Sequence, residues 1–219
     1  MDAFKSIKVV QEVAEGKKQL KIYNPTSLPM IGIGAQGAVF RLSDKRCVKL
    51  YADPANAEWE RKALAAAAVK VKFMPQLFEA GTNYVVMEFI HGPTLEVYLK
   101  ERKQLEEWVA AQLLEIVRGM RRMKFNRIDT RLAHILVQTQ GNGKRRLKVI
   151  DHIGAFRSRR RIPLMLFKSL HKAGLLMPFL RYVVKHDPKL YRKWLRKIAE
   201  GEAADMEDVP ALPRLERLQ

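Results

Sequence analysis

A chain of 219 residues, 47% hydrophobic and 29% charged, has enough apolar material for one domain of two parts or for two very small domains. No apolar run nears the roughly 20 residues that a membrane-spanning helix needs, and the opening MDAFKSIKVVQEVAEGKK lacks the apolar stretch and cleavage-like site of a signal peptide. Lys and Arg outnumber Asp and Glu by 41 to 23, a net charge of +18, and such a surface attracts phosphate-bearing partners: nucleotides, nucleic acid, anionic lipid or acidic protein.

The single Cys47 allows no internal disulfide and fits a reducing, cytoplasmic setting. In chain order, Phe4, Ile7, Val10 and Val13 fall near helical spacing, so a partly helical N-terminal segment is expected, ending at the turn Asn24-Pro25. Residues 30–51 read as three antiparallel strands, PMIGIGAQGAVFRL and KRCVKLY, broken by glycines and by Ser43–Arg46. Asp53-Pro54 then opens an alanine-rich helix, NAEWERKALAAAAVK, with Pro75 closing it off. Strands are expected near 76–79 and 84–89 around the turn Gly81-Thr82-Asn83. From His91 the pattern turns helical, and Glu106–Lys124 carries Val109, Leu113, Ile116, Val117, Met120 and Met123 on one face. After the non-periodic FNRIDTRLAH, the runs ILVQT and RLKVI flank Gly141-Asn142-Gly143 as a hairpin, and 163–199 reads as two or three basic amphipathic helices. A β-rich first half and an α-rich second half make this an α+β chain. Between Arg157 and Lys197 thirteen Lys/Arg face one acid, Asp187, and the tail from Glu200 to Asp208 is acidic.

Gly32-Ile33-Gly34-Ala35-Gln36-Gly37-Ala38-Val39 is a G-x-G-x-x-G-x-V string. In a dinucleotide-binding fold such a string opens a helix. Here Val39 and Phe40 continue as strand, which favours strand–turn–strand, with glycines that let backbone approach phosphates. An ordinary glycine-rich hairpin has the same pattern. Lys49 follows on an apolar strand and either lies on a solvent face or grips phosphate. A phosphate-gripping lysine needs a carboxylate to hold it, and the next helix offers Glu60, with Glu58 as its rival.

Glycine loop, strand lysine and helix glutamate, in this order, resemble the protein kinase fold. So does Tyr84–Leu95, which looks like the family's fifth strand and hinge. The resemblance implies Met87 as gatekeeper, with the backbone of Glu88 and Ile90 reading the adenine edge. The run Arg127–Val137 is similar to the family's H-R-D-L-K-x-x-N. Asp129 falls on the catalytic aspartate, Arg131 on the adjacent phosphate-contacting base, and His134 where the family has a metal-binding asparagine. Lys148-Val149-Ile150-Asp151-His152-Ile153 stands in place of a strand ending in D-F-G, which puts Asp151 on the metal-binding aspartate. The His-Arg pair before Asp129 is absent, and so is the Phe-Gly pair after Asp151, a motif that is also relaxed in the small RIO and lipopolysaccharide-kinase-like groups.

The resemblance covers residues 30–155 and implies a two-lobed kinase-like fold: an N-terminal helical extension (1–25), an N-lobe (26–90), a reduced helical C-lobe (91–199) and a tail (200–219). It implies ATP with Mg2+ or Mn2+, and γ-phosphoryl transfer to a hydroxyl acceptor in the manner of an atypical serine/threonine kinase. Gly32, Gly34, Gly37 and Val39 would cover the phosphates, Lys49, held by Glu60, would grip the inner ones, Asp151 and His134 would meet the metal, and Asp129 and Arg131 would serve the transfer. Imidazole suits softer metals than magnesium, so His134 points to manganese, to one metal only, or to no metal role. No A-P-E segment follows Asp151, which favours a small-molecule or sugar kinase. A non-catalytic binding module, docking basic helices on nucleic acid, ribosome or membrane, is the other alternative. Ser158, among arginines, is a self-phosphorylation candidate.

Overall fold

A computed structural model describes residues 3–14, 17–67, 71–156, 161–201, 212–214 and 218. The chain divides into two units, Met1–Ile90 with Asp151–Gly154, and His91–Ile150 with Ala155–Gln219. The first is β-rich and the second mostly helical.

In the first unit the expected N-terminal helix is replaced by a 3-10 turn, Ala3–Ser6, and a hairpin of β1 (Lys8–Ala14) and β2 (Lys17–Tyr23). Phe4 and Ile7 fit the three-residue repeat of the turn. Val10 and Val13, which completed the apparent helical stripe, are exposed. The buried position is Val9, paired with Ile22, and β-branched residues alternating on one face favour a strand. Beyond it, β3 (Met30–Ile33), β4 (Gly37–Arg41), β5 (Arg46–Tyr51), β6 (Leu77–Ala80) and β7 (Tyr84–Glu88) form an antiparallel sheet in the order β3-β4-β5-β7-β6. One face carries Ala38, Phe40, Val48, Leu50 and Val86, and Phe4, Ile7 and Val9 pack into that same core. Each such side chain removed from water contributes on the order of 1.5–3 kcal/mol before entropy is counted.

Helix α1 (Pro54–Ala67) starts where Asp53 accepts the amide of Ala55 (2.9 Å), with Pro54 at the first helical position, where its missing N–H costs nothing. It contacts β5, β6 and β7 and buries Ala57, Glu60, Ala63, Leu64 and Ala67.

In the second unit Thr94 caps α2 (Leu95–Arg102), accepting the amide of Val97 at 3.3 Å. The amphipathic α3 (Glu107–Arg122) buries the stripe expected of it, including Val109, Leu113, Ile116, Val117 and Met120. β8 (Ile135–Thr139) and β9 (Arg145–Val149) form the expected hairpin. The side-chain amide of Gln112 lies along β9, donating to the Arg145 carbonyl (3.1 Å) and accepting the Leu147 amide (2.8 Å). Gly92 has φ +137°, and a Cβ there would stand 2.0 Å from the Val137 carbonyl oxygen, so the chain entering α2 requires glycine. Three helices follow, α4 (Leu164–Lys172), α5 (Leu176–His186) and α6 (Pro188–Ala199). Trp194 and Phe167 meet edge to face (5.1 Å) in their core. Asp187 caps α6 through the amide of Leu190 (3.0 Å) and takes the guanidinium of Arg118 on α3. Ser158 and the tail beyond Gly201, apart from 212–214 and 218, lie outside the described residues.

Candidate functional site

Strand alternation divides β5 between two tasks. Val48 and Leu50 enter the core shared with Phe4 and Val9, which turns Cys47, Lys49 and Tyr51 to the opposite face. Cross-strand partners lie on the same face, so Val39 and Val85 flank Lys49, and Met87 flanks Cys47. Three residues singled out from the sequence, Val39, Lys49 and Met87, therefore share one face of the sheet.

Lys49, 14% exposed, places Nζ 3.1 Å from Asp151 Oδ1 and 3.6 Å from Glu60 Oε2. Glu60 is 1% exposed, and its two oxygens also accept the backbone amide of His152 at 3.0 and 3.2 Å. Glu58, the rival, instead pairs with Arg61 and Lys62 on its own helix. Burial alone would push the Lys49 ammonium to lower pKa. The attraction of Glu60 and Asp151 outweighs it, and the pKa stands above the ordinary lysine value. The ammonium also lies 5.1 Å from the centroid of the Tyr51 ring. Neither Tyr51 nor the His152 amide was singled out from the sequence. Tyr51 was legible in principle, since two residues along a strand from Lys49 it must share its face. The His152 amide carries no sequence signal.

Asp151 has φ +64°, the left-handed region that non-glycine residues seldom occupy. A backbone of this kind stores about 1–3 kcal/mol and persists only where its surroundings over-determine it. Here the salt bridge to Lys49 on one side and the His152–Glu60 bond on the other fix the turn.

The glycine string forms a hairpin, not the start of a helix. Gly32 pairs with Val39 and Ile33 with Ala38, and the Gly34 amide donates to the Gly37 carbonyl at 2.9 Å. That rules out the dinucleotide-fingerprint geometry for this segment. A Cβ on Gly37 would meet the Leu50 carbonyl oxygen at 2.2 Å, so the β4–β5 approach demands glycine. Gly32 and Gly34 differ, because a Cβ there would meet nothing nearer than 3.9 Å. At the end of β7, Glu88 donates its amide to Gln76 (2.9 Å), and its carbonyl accepts the Cys47 thiol at 3.8 Å, while Ile90 is buried. Burial pushes the Cys47 thiol up to about 12, against the opposing field of Lys49.

The other expected site residues belong to the helical unit. Asp129 is buried, and its carboxylate accepts the amides of Met165 (2.9 and 3.1 Å) and Leu166 (3.2 Å) in the first turn of α4. A carboxylate there satisfies orphan amides and faces the positive end of the helix dipole. Arg131 is exposed and precedes the 3-10 turn Leu132–His134. The His134 amide donates to the Arg131 carbonyl (2.9 Å), and its own carbonyl accepts the Ile150 amide (2.9 Å). The loop bearing Asp129 is pinned by Arg127 N–H to Ala155 (3.1 Å), by Asn126 to the Phe156 carbonyl (2.7 Å) and by the Phe125–Phe156 ring contact.

Among the described residues no three His, Cys, Asp or Glu side chains converge as a ready-made metal cage. Magnesium in nucleotide sites typically rests on one or two carboxylates and the substrate's own phosphates. Asp151, a partly exposed carboxylate beside a lysine, fits that donor chemistry. The space a Cβ would fill at Gly32 and Gly34 fits the close approach of a phosphate chain.

No protein-family model matches the chain. Over 132 residues, 57% of this chain, it is 26% identical to a Bacillus subtilis (strain 168) protein named "Putative serine/threonine-protein kinase YrzF", and the match spans 58% of that protein's length. The chain is thus similar to a protein named as a kinase, at an identity that supports a kinase-like relationship and no narrower subtype.

Proposed function

We propose that this chain is a kinase-like phosphotransferase that binds ATP with Mg2+ or Mn2+ and transfers the γ-phosphoryl group to a hydroxyl acceptor. The observation that carries the reading is the Lys49 ammonium held between the buried Glu60 and the strained Asp151. A lysine so placed on a sheet face is anchored yet keeps donors to offer. The three groups together carry one net negative charge, so phosphates gain little there until a divalent cation joins Asp151. Bound in that way, the metal would supply charge neutralisation of the outer phosphates.

In this reading the backbone of the Gly32–Gly37 hairpin lies over the phosphates, Lys49 grips the inner ones, and the Met87–Ile90 segment reads the base. Arg131, exposed on its loop, offsets charge on the transferred group. Asp129 orients the acceptor hydroxyl and takes its proton. His134 has a nitrogen donor better suited to manganese than to magnesium.

Calorimetric titration of ATP in the presence of Mg2+, and then Mn2+, tests the binding half. Lys49→Met and Asp151→Asn are each expected to weaken binding at least tenfold, and equal affinity for all three proteins overturns the assignment. ADP release, assayed with protein acceptors and with hydroxylated metabolites, tests the transfer half and separates the two acceptor classes.

A second reading is favoured by one observation: the Asp129 carboxylate already accepts three hydrogen bonds from α4. A group so engaged has fewer lone pairs left to accept a substrate hydroxyl, which suits a nucleotide-binding module without transfer. Wild-type protein that binds ATP but releases no ADP with any acceptor decides for it.

A further inference from the structure

The positive charge of the chain is not shared between the units. Residues 1–90 with 151–154 hold 13 Lys/Arg against 10 Asp/Glu, and the remaining residues hold 28 against 13. Within the helical unit, α6 concentrates the excess. Lys189, Arg192, Lys193, Arg196 and Lys197 occupy five of its 12 positions, and the helix contains no acid. Its apolar side, Leu190, Tyr191 and Trp194, is buried. The cations form a stripe about 12 Å long from Lys189 to Lys197 at about 1.5 Å per residue, with Lys189, Arg192 and Arg196 exposed and Lys193 and Lys197 half-buried.

Two further cations join the stripe. The Arg118–Asp187 pair ties α3 to the start of α6. Beyond it, Arg121 is the strongest influence holding the Lys193 ammonium below the ordinary lysine value. Burial follows, and then the fields of Arg161, Arg196 and Lys197. Glu200 meets this cluster, bonded to Lys197 and 3.7 Å from Arg196, and offsets one charge. Like charges three and four residues apart work against the helix that carries them, and an incoming polyanion would relieve that repulsion.

We propose that the outer face of α6, with Arg121 and Arg161 beside it, binds the phosphate backbone of double-stranded nucleic acid. Side-chain inventory selects this partner over other anions. An anionic bilayer holds a basic helix by burying apolar and aromatic side chains in the interface. On α6 Leu190, Tyr191 and Trp194 are buried and Leu195 and Ile198 half-buried, and the exposed large apolar side chains among this unit's described residues are Val97 and Met177, both on other helices. Single strands need aromatic platforms for stacking, and Tyr191 and Trp194 are 0% and 1% exposed. A duplex asks only for a row of cations. Counting both strands it presents one charge per about 1.7 Å of axis, so a length of about 12 Å carries about seven. Contacts of this kind are sequence-independent. The surface belongs to the helical unit and includes none of the residues assigned to the Lys49 site, and the inference does not rest on phosphoryl transfer.

Fluorescence anisotropy of a short labelled duplex, titrated with the full chain between about 50 and 200 mM salt, tests it. Five phosphate contacts predict a slope of log K against log salt of about −4.5, and a loss of affinity of about 10²–10³ across that range. Arg192→Gln with Arg196→Gln is expected to weaken binding about tenfold or more and to reduce the slope by about 2. Lys100→Gln with Lys144→Gln removes the same charge elsewhere on the unit and is expected to leave both nearly unchanged. Glu200→Gln is expected to tighten binding, which keeps the proposal open to test should the double variant fold poorly. Equal weakening by the two double variants, an unmoved Glu200→Gln, absence of duplex binding at the lowest salt, or a preference for phosphatidylserine vesicles over duplex each overturns it.

Discussion

Glu60 and Glu58 lie two residues apart on one helix, and the sequence offers both as partners for Lys49. Burial separates them: Glu60 faces the sheet, while Glu58 sits among Arg61 and Lys62. Removing Glu60 leaves a largely buried ammonium and the His152 amide short of an acceptor. Glu60→Ala is therefore expected to cost about 3 kcal/mol, seen as a lower urea midpoint at constant slope, with Glu58→Ala leaving the midpoint in place. An equal loss from both would mean that the Lys49–Glu60 pair does not hold the unit together. Cys47 gives a second residue-level test. With its pKa near 12, its thiolate fraction at pH 8 is about a thousandfold below that of an ordinary cysteine. Iodoacetamide should spare it in the native protein and modify it only as urea unfolds the chain. Rapid native labelling would contradict the burial of Cys47.

At the scale of elements, the two kinds of glycine in one string should part company. Gly37→Ala must push β4 from β5 and is expected to destabilise by about 1–3 kcal/mol. Gly34→Ala meets only the Gly37 carbonyl oxygen at 3.9 Å, so it should leave the thermal midpoint nearly unchanged while weakening ATP binding. If Gly34→Ala instead unfolds the hairpin, its glycine serves the fold and not a ligand. Helix α4 poses a similar question through Asp129. Asp129→Ala should cost about 1–2 kcal/mol as a lost cap, and Asp129→Asn much less. Asp129→Asn at near-native stability then reads the chemical role of the carboxylate alone through ADP release. Most elements were legible because periodicity and punctuation agreed: Asp-Pro at the head of α1, the glycines around β3 and β4, the apolar stripe of α3. The N-terminal strands were not, because a 3-10 turn followed by valines copies helical spacing. Only the pairing of Val9 with Ile22 and the core around Phe40 settle which valine faces inward. The capping of α4 was illegible for another reason. It joins residues 36 and 37 positions apart through backbone amides, which carry no side-chain signature.

For the whole molecule, a net charge of +18 means that folding gathers like charges, most of them in the helical unit. Added sodium chloride screens them, since the screening length falls from about 10 Å at 0.1 M to about 3 Å at 1 M. The thermal midpoint is accordingly expected to rise by about 2–4 °C for each 1 kcal/mol of repulsion relieved. A midpoint that falls with salt would show that attractive pairs such as Lys49–Asp151 outweigh the repulsion. Charge also keeps copies of the chain apart, and one side chain does so without charge. The hairpin β8–β9 has a single ladder, and the far side of β9 is where a strand of another molecule would add. Gln112 already occupies the Arg145 carbonyl and the Leu147 amide on that side. One amide from a helix thus serves as a third strand two bonds wide, so the chain carries its own block against edge-to-edge assembly where screening by salt would otherwise favour it.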